Sequence, residues 1–280
     1  MNRTEQAERA RTLLTLHQGP RVLVLPNIWD PMGARLLESL GYPAVATASA
    51  AVAYSRGVED GEKLPLEVVL GILADIASAV RVPVTADLEA GYGRTPDAVA
   101  ETVRRALDTG IVGLNLEDTN HADGSLFPVA DQQARIRAVR QAAETEGVPL
   151  VVNARTDVFL REGPQPTPEK LRHAVDRARA YVEAGADCVY PILLGDLEAL
   201  RAFRREVGVP VNVYASARAP SLADLEAAGI TRLSLGPGLL KASLTTMKRV
   251  AEGLRQGGSY EAFTSGVVTN DEIKKHILRG

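Results

Sequence analysis

Short β-branched runs alternate along this chain with amphipathic stretches of helical period, and no low-complexity linker interrupts the alternation. The pattern predicts eight strands: Val22–Leu25, Ala44–Thr47, Pro83–Ala86, Val112–Leu116, Pro149–Asn153, Asp187–Tyr190, Pro210–Val213 and Thr231–Leu235. Most follow a helix that stops at glycine or at a Val-Pro pair. Leu40-Gly41-Tyr42-Pro43, Thr109-Gly110-Ile111, Ala184-Gly185-Ala186-Asp187 and Ala228-Gly229-Ile230 all read as helix, glycine, strand. Nearly continuous apolar strands separated by helices indicate a parallel sheet buried on both faces, and eight of them predict closure into an α/β fold of the (β/α)8 TIM-type barrel kind. An open doubly wound sheet is the alternative, weakened because no GxGxxG follows the first strand. One domain is expected over residues 1–280, with an N-terminal helix in 1–20, from Thr4 to Gln18, ahead of the barrel. The tail 254–280, after Gly253, carries Tyr260, Phe263 and a partly apolar Asn270–Leu278, and such a tail is expected to dock on something.

Composition narrows the partners. At 280 residues and 45% hydrophobic the chain can bury a large core. A formal charge of −3 offers no basic footprint for nucleic acid or an acidic membrane, and every apolar run is cut short of a bilayer span. A small-molecule partner is the expectation. One cysteine, Cys188, and no signal-like opening fit a soluble protein of a reducing cytoplasm.

In a barrel, side chains at the carboxyl ends of the strands converge on one mouth. Asp87 and Glu89 follow the third predicted strand, Glu117 and Asp118 end the fourth, and Asp60 lies in the long loop after the second. Strand alternation sends Asp87 and Glu89 to the same side, with Gly91 and Gly93 letting the backbone turn closely past them. Carboxylates gathered in this way repel unless a positive charge sits between them. A hard divalent cation, Mg2+ or Mn2+, held by Asp87, Glu89, Glu117 and Asp60 answers that need. Asp118 is assigned instead to capping or to pairing with a surface arginine. Arg155, at the end of the fifth strand, is read as a fork for a substrate carboxylate or oxyanion, with neutralisation of the acids as its alternative.

The histidines say less. His17 and His173 fall in helical patterns as surface or packing residues, and His276 lies in the tail. His121, four residues after Glu117, sits in a mouth loop and is a catalytic candidate. No zinc spacing, GxSxG or Walker loop is present. Gly236-Pro237-Gly238 reads as a strand-to-helix turn, with an anion site as the alternative.

Assembled, these pieces resemble the isocitrate lyase and phosphoenolpyruvate mutase superfamily from Leu25 to about Leu254. The resemblance rests on Leu25-Pro26-Asn27-Ile28-Trp29-Asp30, Gly57-Val58-Glu59-Asp60, Asp87-Leu88-Glu89-Ala90-Gly91-Tyr92-Gly93, Leu116-Glu117-Asp118 and Ala154-Arg155-Thr156-Asp157. It implies a barrel whose C-terminal helix is swapped between subunits in a homotetramer, a dimer of swapped dimers. It also implies magnesium, with Asp87 nearest and Asp60, Glu89 and Glu117 holding its waters. A 2-oxo acid would be met by backbone N–H groups at Ser49 and Ala50, by Arg155 and by Asn212. Two departures matter. The Lys-Lys-Cys-Gly-His loop of the family's carbon–carbon lyases is replaced by the shorter, cysteine-free Thr119–Pro128, and their Phe-Pro-Glu by Tyr190-Pro191-Ile192. Nor does the loop hold the lysine of the phosphonate branch.

The expectation is therefore a magnesium-dependent lyase acting on a small 2-oxo (di)carboxylic acid through an enolate, of the oxaloacetate decarboxylase type. Asp60, Glu117, Arg155 and His121 are its catalytic candidates. One alternative is a carbon–carbon lyase of the methylisocitrate lyase type with His121 or Tyr54 in place of cysteine. The other is a 2-oxo acid binding protein without turnover.

Overall fold

Parallel pairing closes the sheet into a ring in the computed structural model, which describes residues 1–277; residues 278–280, with Leu278 at the end of the predicted tail segment, lie outside the described residues. The strands are β1 (Leu23–Leu25), β2 (Asn27–Ile28), β3 (Val45–Thr47), β4 (Val84–Asp87), β5 (Gly113–Glu117), β6 (Val151–Thr156), β7 (Cys188–Pro191), β8 (Asn212–Tyr214) and β9 (Arg232–Ser234). β1 and β2 are one stave broken at Pro26, which has no N–H to donate. β1 pairs with β9 and β2 with β3, so the break is where the two ends of the sheet meet. On the far side a parallel Val189–Val211 bridge joins β7 to the start of β8. The eight predicted strands thus correspond to eight staves, and the main length error is at β6, which runs on to Thr156.

The outer faces of the strands lie under helices such as Pro96–Asp108 and Val129–Thr145, whose Val99, Val103, Leu107, Ile136 and Val139 are all buried. The inside of the ring is polar. Asn115, Asn153, Asn212, Arg232 and Ser234 are all buried, and Asn115 Oδ1 accepts from Asn153 Nδ2 at 2.8 Å and from Arg232 Nη2 at 3.2 Å. These groups satisfy one another only in part: Asn153 Oδ1, Asn212 Nδ2 and Arg232 Nε are buried without a partner among the described residues, which is costly inside a barrel.

The amino-terminal helix, Arg3–Leu16, closes the barrel floor. An Asn2/Glu5 capping box starts it, and Gln6 Nε2 donates to the carbonyls of Leu107 and Ile111, both at 2.8 Å. Its Leu13 rests on Gly113, where an added Cβ would stand 2.8 Å from Leu13 Cδ2. His17, just past the helix, is fully buried against Arg232 rather than at the surface.

The tail is helical but begins earlier than predicted. Helix Gly238–Arg255 leaves the barrel with only Leu240 buried, followed by helices Glu261–Thr264 and Asn270–Ile277. The last of these lies against helix Pro31–Ser39, where Arg35 Nη1 meets the carbonyl of His276 at 3.5 Å. Among the described residues no helix is long and apolar enough to cross a membrane.

Candidate active site

β4 ends at Asp87, and the chain then turns rather than continuing as a strand. Glu89 has φ of 51° and Tyr92 of 52°, so Glu89 reaches the mouth through a left-handed turn, not by the strand alternation expected of it. Asp87 Oδ2 accepts from the Ser49 N–H at 3.1 Å and the Ser49 hydroxyl at 3.0 Å, while the Asp87 N–H donates to Thr47 Oγ1 at 3.0 Å. The Ser49 N–H expected to greet substrate is thus directed at Asp87. Ala50 follows it in helix Ser49–Ser55.

Glu89 Oε2 accepts the N–H groups of Gly61 at 2.8 Å and Glu62 at 2.6 Å, and Oε1 accepts the Tyr92 hydroxyl at 2.9 Å. Glu117, at the end of β5, meets Arg155 Nη1 at 2.6 Å and His121 Nε2 at 2.9 Å, and His121 also stands 3.8 Å from Glu89. Asp60 sits at the rim on the exposed loop. Burial raises its pKa, and the neighbouring Asp87 raises it further. Glu89 is pushed up to about 7, first by burial and then by Asp60 and Asp87. Burial also raises Glu117, against the pull of Arg155. For His121 burial lowers the pKa, but Glu117 outweighs it and the ring ends above its ordinary value.

Arg155 is held from behind. Its Nε donates to Asp157 Oδ1 at 2.6 Å and its Nη2 to Oδ2 at 3.1 Å, a bidentate grip that aims Nη1 at Glu117. Asp157 also accepts from the Thr119 hydroxyl, and its N–H donates to Asp118 Oδ1 at 2.8 Å. Asp118 is no surface cap. It is fully buried, takes the Tyr181 hydroxyl at 2.7 Å and Arg177 Nη1 at 3.2 Å, and the arginine it meets is buried too. Arg155 thus neutralises Glu117 and Asp157, the alternative the sequence left open for it.

The structure brings Asp60, Asp87, Glu89, Glu117, His121, Arg155 and Ser49 together. Asn212 lies inside the ring, its Oδ1 accepting from Ser234 at 3.1 Å and its buried Nδ2 unpartnered. Tyr54 is exposed at the end of its helix. Gly236-Pro237-Gly238 is a strand-to-helix turn, with the N–H groups of Leu235 and Gly236 donating to Asn27 Oδ1 at 2.7 and 2.9 Å. Sequence reasoning missed Asp157, Tyr92 and Glu62. Asp157 had a signal, standing two residues beyond Arg155 at the end of a strand.

The donor set suits a hard divalent cation. Four carboxylates converge, and burial and mutual repulsion hold three of them above their ordinary pKa even with Arg155 beside Glu117. Among the described residues no three His, Cys, Asp or Glu side chains form a direct cage.

Comparison with known proteins shows the family. The family described as phosphoenolpyruvate phosphomutase matches residues 13–255. The 2-methylisocitrate lyase of Bacillus subtilis (strain 168) is 30% identical over 215 residues, 74% of this chain and 67% of that protein. A solved structure from Burkholderia cenocepacia J2315, provisionally described as a lyase/mutase, is 34% identical with a TM-score of 0.89, covering 97% of this chain and 96% of that one. Phosphonopyruvate hydrolase, solved with oxalate and Mg2+, shares the fold at a TM-score of 0.82 and 23% identity over 96% of this chain and 94% of its own. With a family match across most of its length and the same barrel, the chain belongs to the phosphoenolpyruvate mutase and isocitrate lyase superfamily.

Proposed function

We propose that this protein is a magnesium-dependent lyase that decarboxylates a small 2-oxo dicarboxylic acid of the oxaloacetate type. The observation that carries the reading is the convergence of Asp60, Asp87, Glu89 and Glu117 on one mouth beside Arg155 and His121. Asp87 would hold Mg2+ or Mn2+ most closely, with Asp60, Glu89 and Glu117 around its waters. Bound there, the cation would supply Lewis-acid polarisation to a 2-oxo carbonyl. The superfamily relative solved with oxalate and Mg2+ supports a ligand of this size and charge.

The residues of the chain supply the rest. The Ala50 N–H and the unpartnered amide of Asn212 orient the acid, while Ser49 holds Asp87 in place. As the bond between carbons 3 and 4 breaks, its electron pair moves to the 2-oxo oxygen, releasing carbon dioxide and leaving the enolate of the shortened acid. Arg155, fixed by Asp157, faces that growing charge, a preorganised donor commonly worth about 3–4 kcal/mol. His121, beside Glu117, returns a proton to carbon 3. This chemistry needs no cysteine acid, which fits the short Thr119–Pro128 loop.

The test is oxaloacetate turnover by purified protein with magnesium, compared with the same magnesium alone and with Asp87→Ala. Turnover above the free-metal rate that the substitution abolishes in a folded protein supports the lyase. Oxalate binding without turnover points to the non-catalytic binder, and an unchanged magnesium affinity in Asp87→Ala defeats the metal assignment.

The assembly belongs to the same reading. Helix Gly238–Arg255 exposes Leu244, Met247 and Leu254, and Tyr260, Phe263, Val267 and Val268 continue the apolar surface. Such a face is best covered by a second copy, as in a homotetramer built from helix-swapped dimers.

A further inference from the structure

We propose that Tyr92, together with Glu62, is a positioning residue that works through Glu89 to latch the loop carrying Asp60 over the site. This deepens the magnesium-lyase reading, but its geometry stands apart from any ligand. Each oxygen of Glu89 is engaged by protein donors: Oε2 by the N–H groups of Gly61 and Glu62, Oε1 by the Tyr92 hydroxyl at 2.9 Å. The circuit closes on itself, because Glu62 Oε1 accepts the Tyr92 N–H at 2.7 Å. A carboxylate so occupied ties two loops together.

The backbone around this circuit is held where side chains are rarely found. Four non-glycine residues among those described have left-handed φ, and Glu62 at 58°, Glu89 at 51° and Tyr92 at 52° are three of them. Such conformations persist only when surrounding contacts over-determine them. Those contacts are present: buried Arg135 reaches up from helix Val129–Thr145 to the carbonyls of Ala90 and Arg94 and lies 4.0 Å over the Phe127 ring. On the other side Gly61, at φ of 99°, lies so close to His121 that an added Cβ would stand 3.3 Å from its Nδ1. The latch therefore sets two distances at once, Asp60 to Asp87 and the Asp60 loop to His121. Preorganising them removes an ordering cost that a ligand would otherwise meet.

Hydrogen exchange of the Gly61 and Glu62 amides, followed in the full-length protein without metal, reads the latch directly. Tyr92→Phe, which removes only the hydroxyl, is expected to speed exchange at both amides by about tenfold while the amides of β5 and β6 keep their protection. Glu62→Gln keeps an oxygen for the Tyr92 N–H and is expected to hold the native protection, whereas Glu62→Ala is expected to lose it. Calorimetry with magnesium chloride is expected to show about tenfold weaker binding for Tyr92→Phe, and oxaloacetate turnover a raised KM with little change in kcat. Unaltered Gly61 and Glu62 exchange in Tyr92→Phe would overturn the latch. If the wild type turns over no oxaloacetate but exchange responds as expected, the lyase reading fails and the latch stands.

Discussion

Replacing His17 by glutamine should change how the stability of this protein depends on pH. His17 is buried between the floor helix and the barrel interior, and burial, then the Arg232 guanidinium, push its pKa from an ordinary 6.5 down to about 4. In the fold the ring is neutral: the Nδ1–H donates to the Leu13 carbonyl at 2.7 Å, leaving Nε2 facing Arg232 Nη1 at 3.4 Å. An unfolded chain carries an ordinary histidine that charges below about pH 6.5. Between the two values the unfolded state binds more protons, so stability rises with pH through that window. The contribution is fully present above the unfolded value and is lost as pH falls toward 4. At about 1.4 kcal/mol for each pH unit, the whole window is worth about 3 kcal/mol, a large share of the ~5–15 kcal/mol that holds a typical domain. Glu89 acts with the opposite sign. Its folded pKa is raised to about 7, so its contribution to stability declines as pH rises from its unfolded value near 4.5. The clean quantity is therefore the difference between wild type and His17→Gln in urea unfolding at about pH 4.5 and about pH 7.5, where the glutamine oxygen can still accept from Arg232. Wild type should lose roughly 2–3 kcal/mol more than the variant on acidification. Parallel pH profiles for the two proteins would refute the buried neutral histidine.

Other outcomes follow from the same geometry. Gly113→Ala places a methyl 2.8 Å from Leu13 Cδ2 and 2.9 Å from Thr85 Oγ1, and thermal unfolding should show a loss of about 1–3 kcal/mol, partly relieved in the double variant with Leu13→Ala. Truncation after Gly253 should lower the mass measured by light scattering, since the segment removed carries Tyr260, Phe263, Val267 and Val268 at the surface; an unchanged mass would show the tail is dispensable. Isocitrate and 2-methylisocitrate should be cleaved far more slowly than oxaloacetate is decarboxylated, for want of a positioned acid ordinarily worth about 10²–10⁴-fold. A coupled assay for glyoxylate or pyruvate checks this, and robust isocitrate cleavage lost in His121→Ala would promote the carbon–carbon lyase.

Local rules made the barrel legible. Glycine stops and Val-Pro pairs place each strand start within about two residues, since these residues act through their own backbone and need no partner far away. The acids at the strand ends were legible for a related reason: once the strands are known, the ring carries Asp87, Glu117 and Arg155 to one mouth. Arg155 also stands opposite Glu117 in register, a pairing implied by neighbouring parallel strands.

Tertiary structure alone decided how those groups are used. Nothing local shows that Asp118 would sink to full burial against Tyr181 and Arg177, because those partners arrive from a helix some sixty residues on. The helical pattern left His17 as either a surface or a packing residue, and its partner Arg232, 215 positions away in sequence, decided for packing. The left-handed turns at Glu62, Glu89 and Tyr92 are likewise invisible in residue types that do not favour them, and they exist because Arg135 and the Glu89 carboxylate hold the loops from both sides. Strand and helix follow from propensity and period, which are carried by neighbours along the chain. The charge state and aim of a buried side chain follow from desolvation and from partners distant in sequence, and these come into being only when the ring closes.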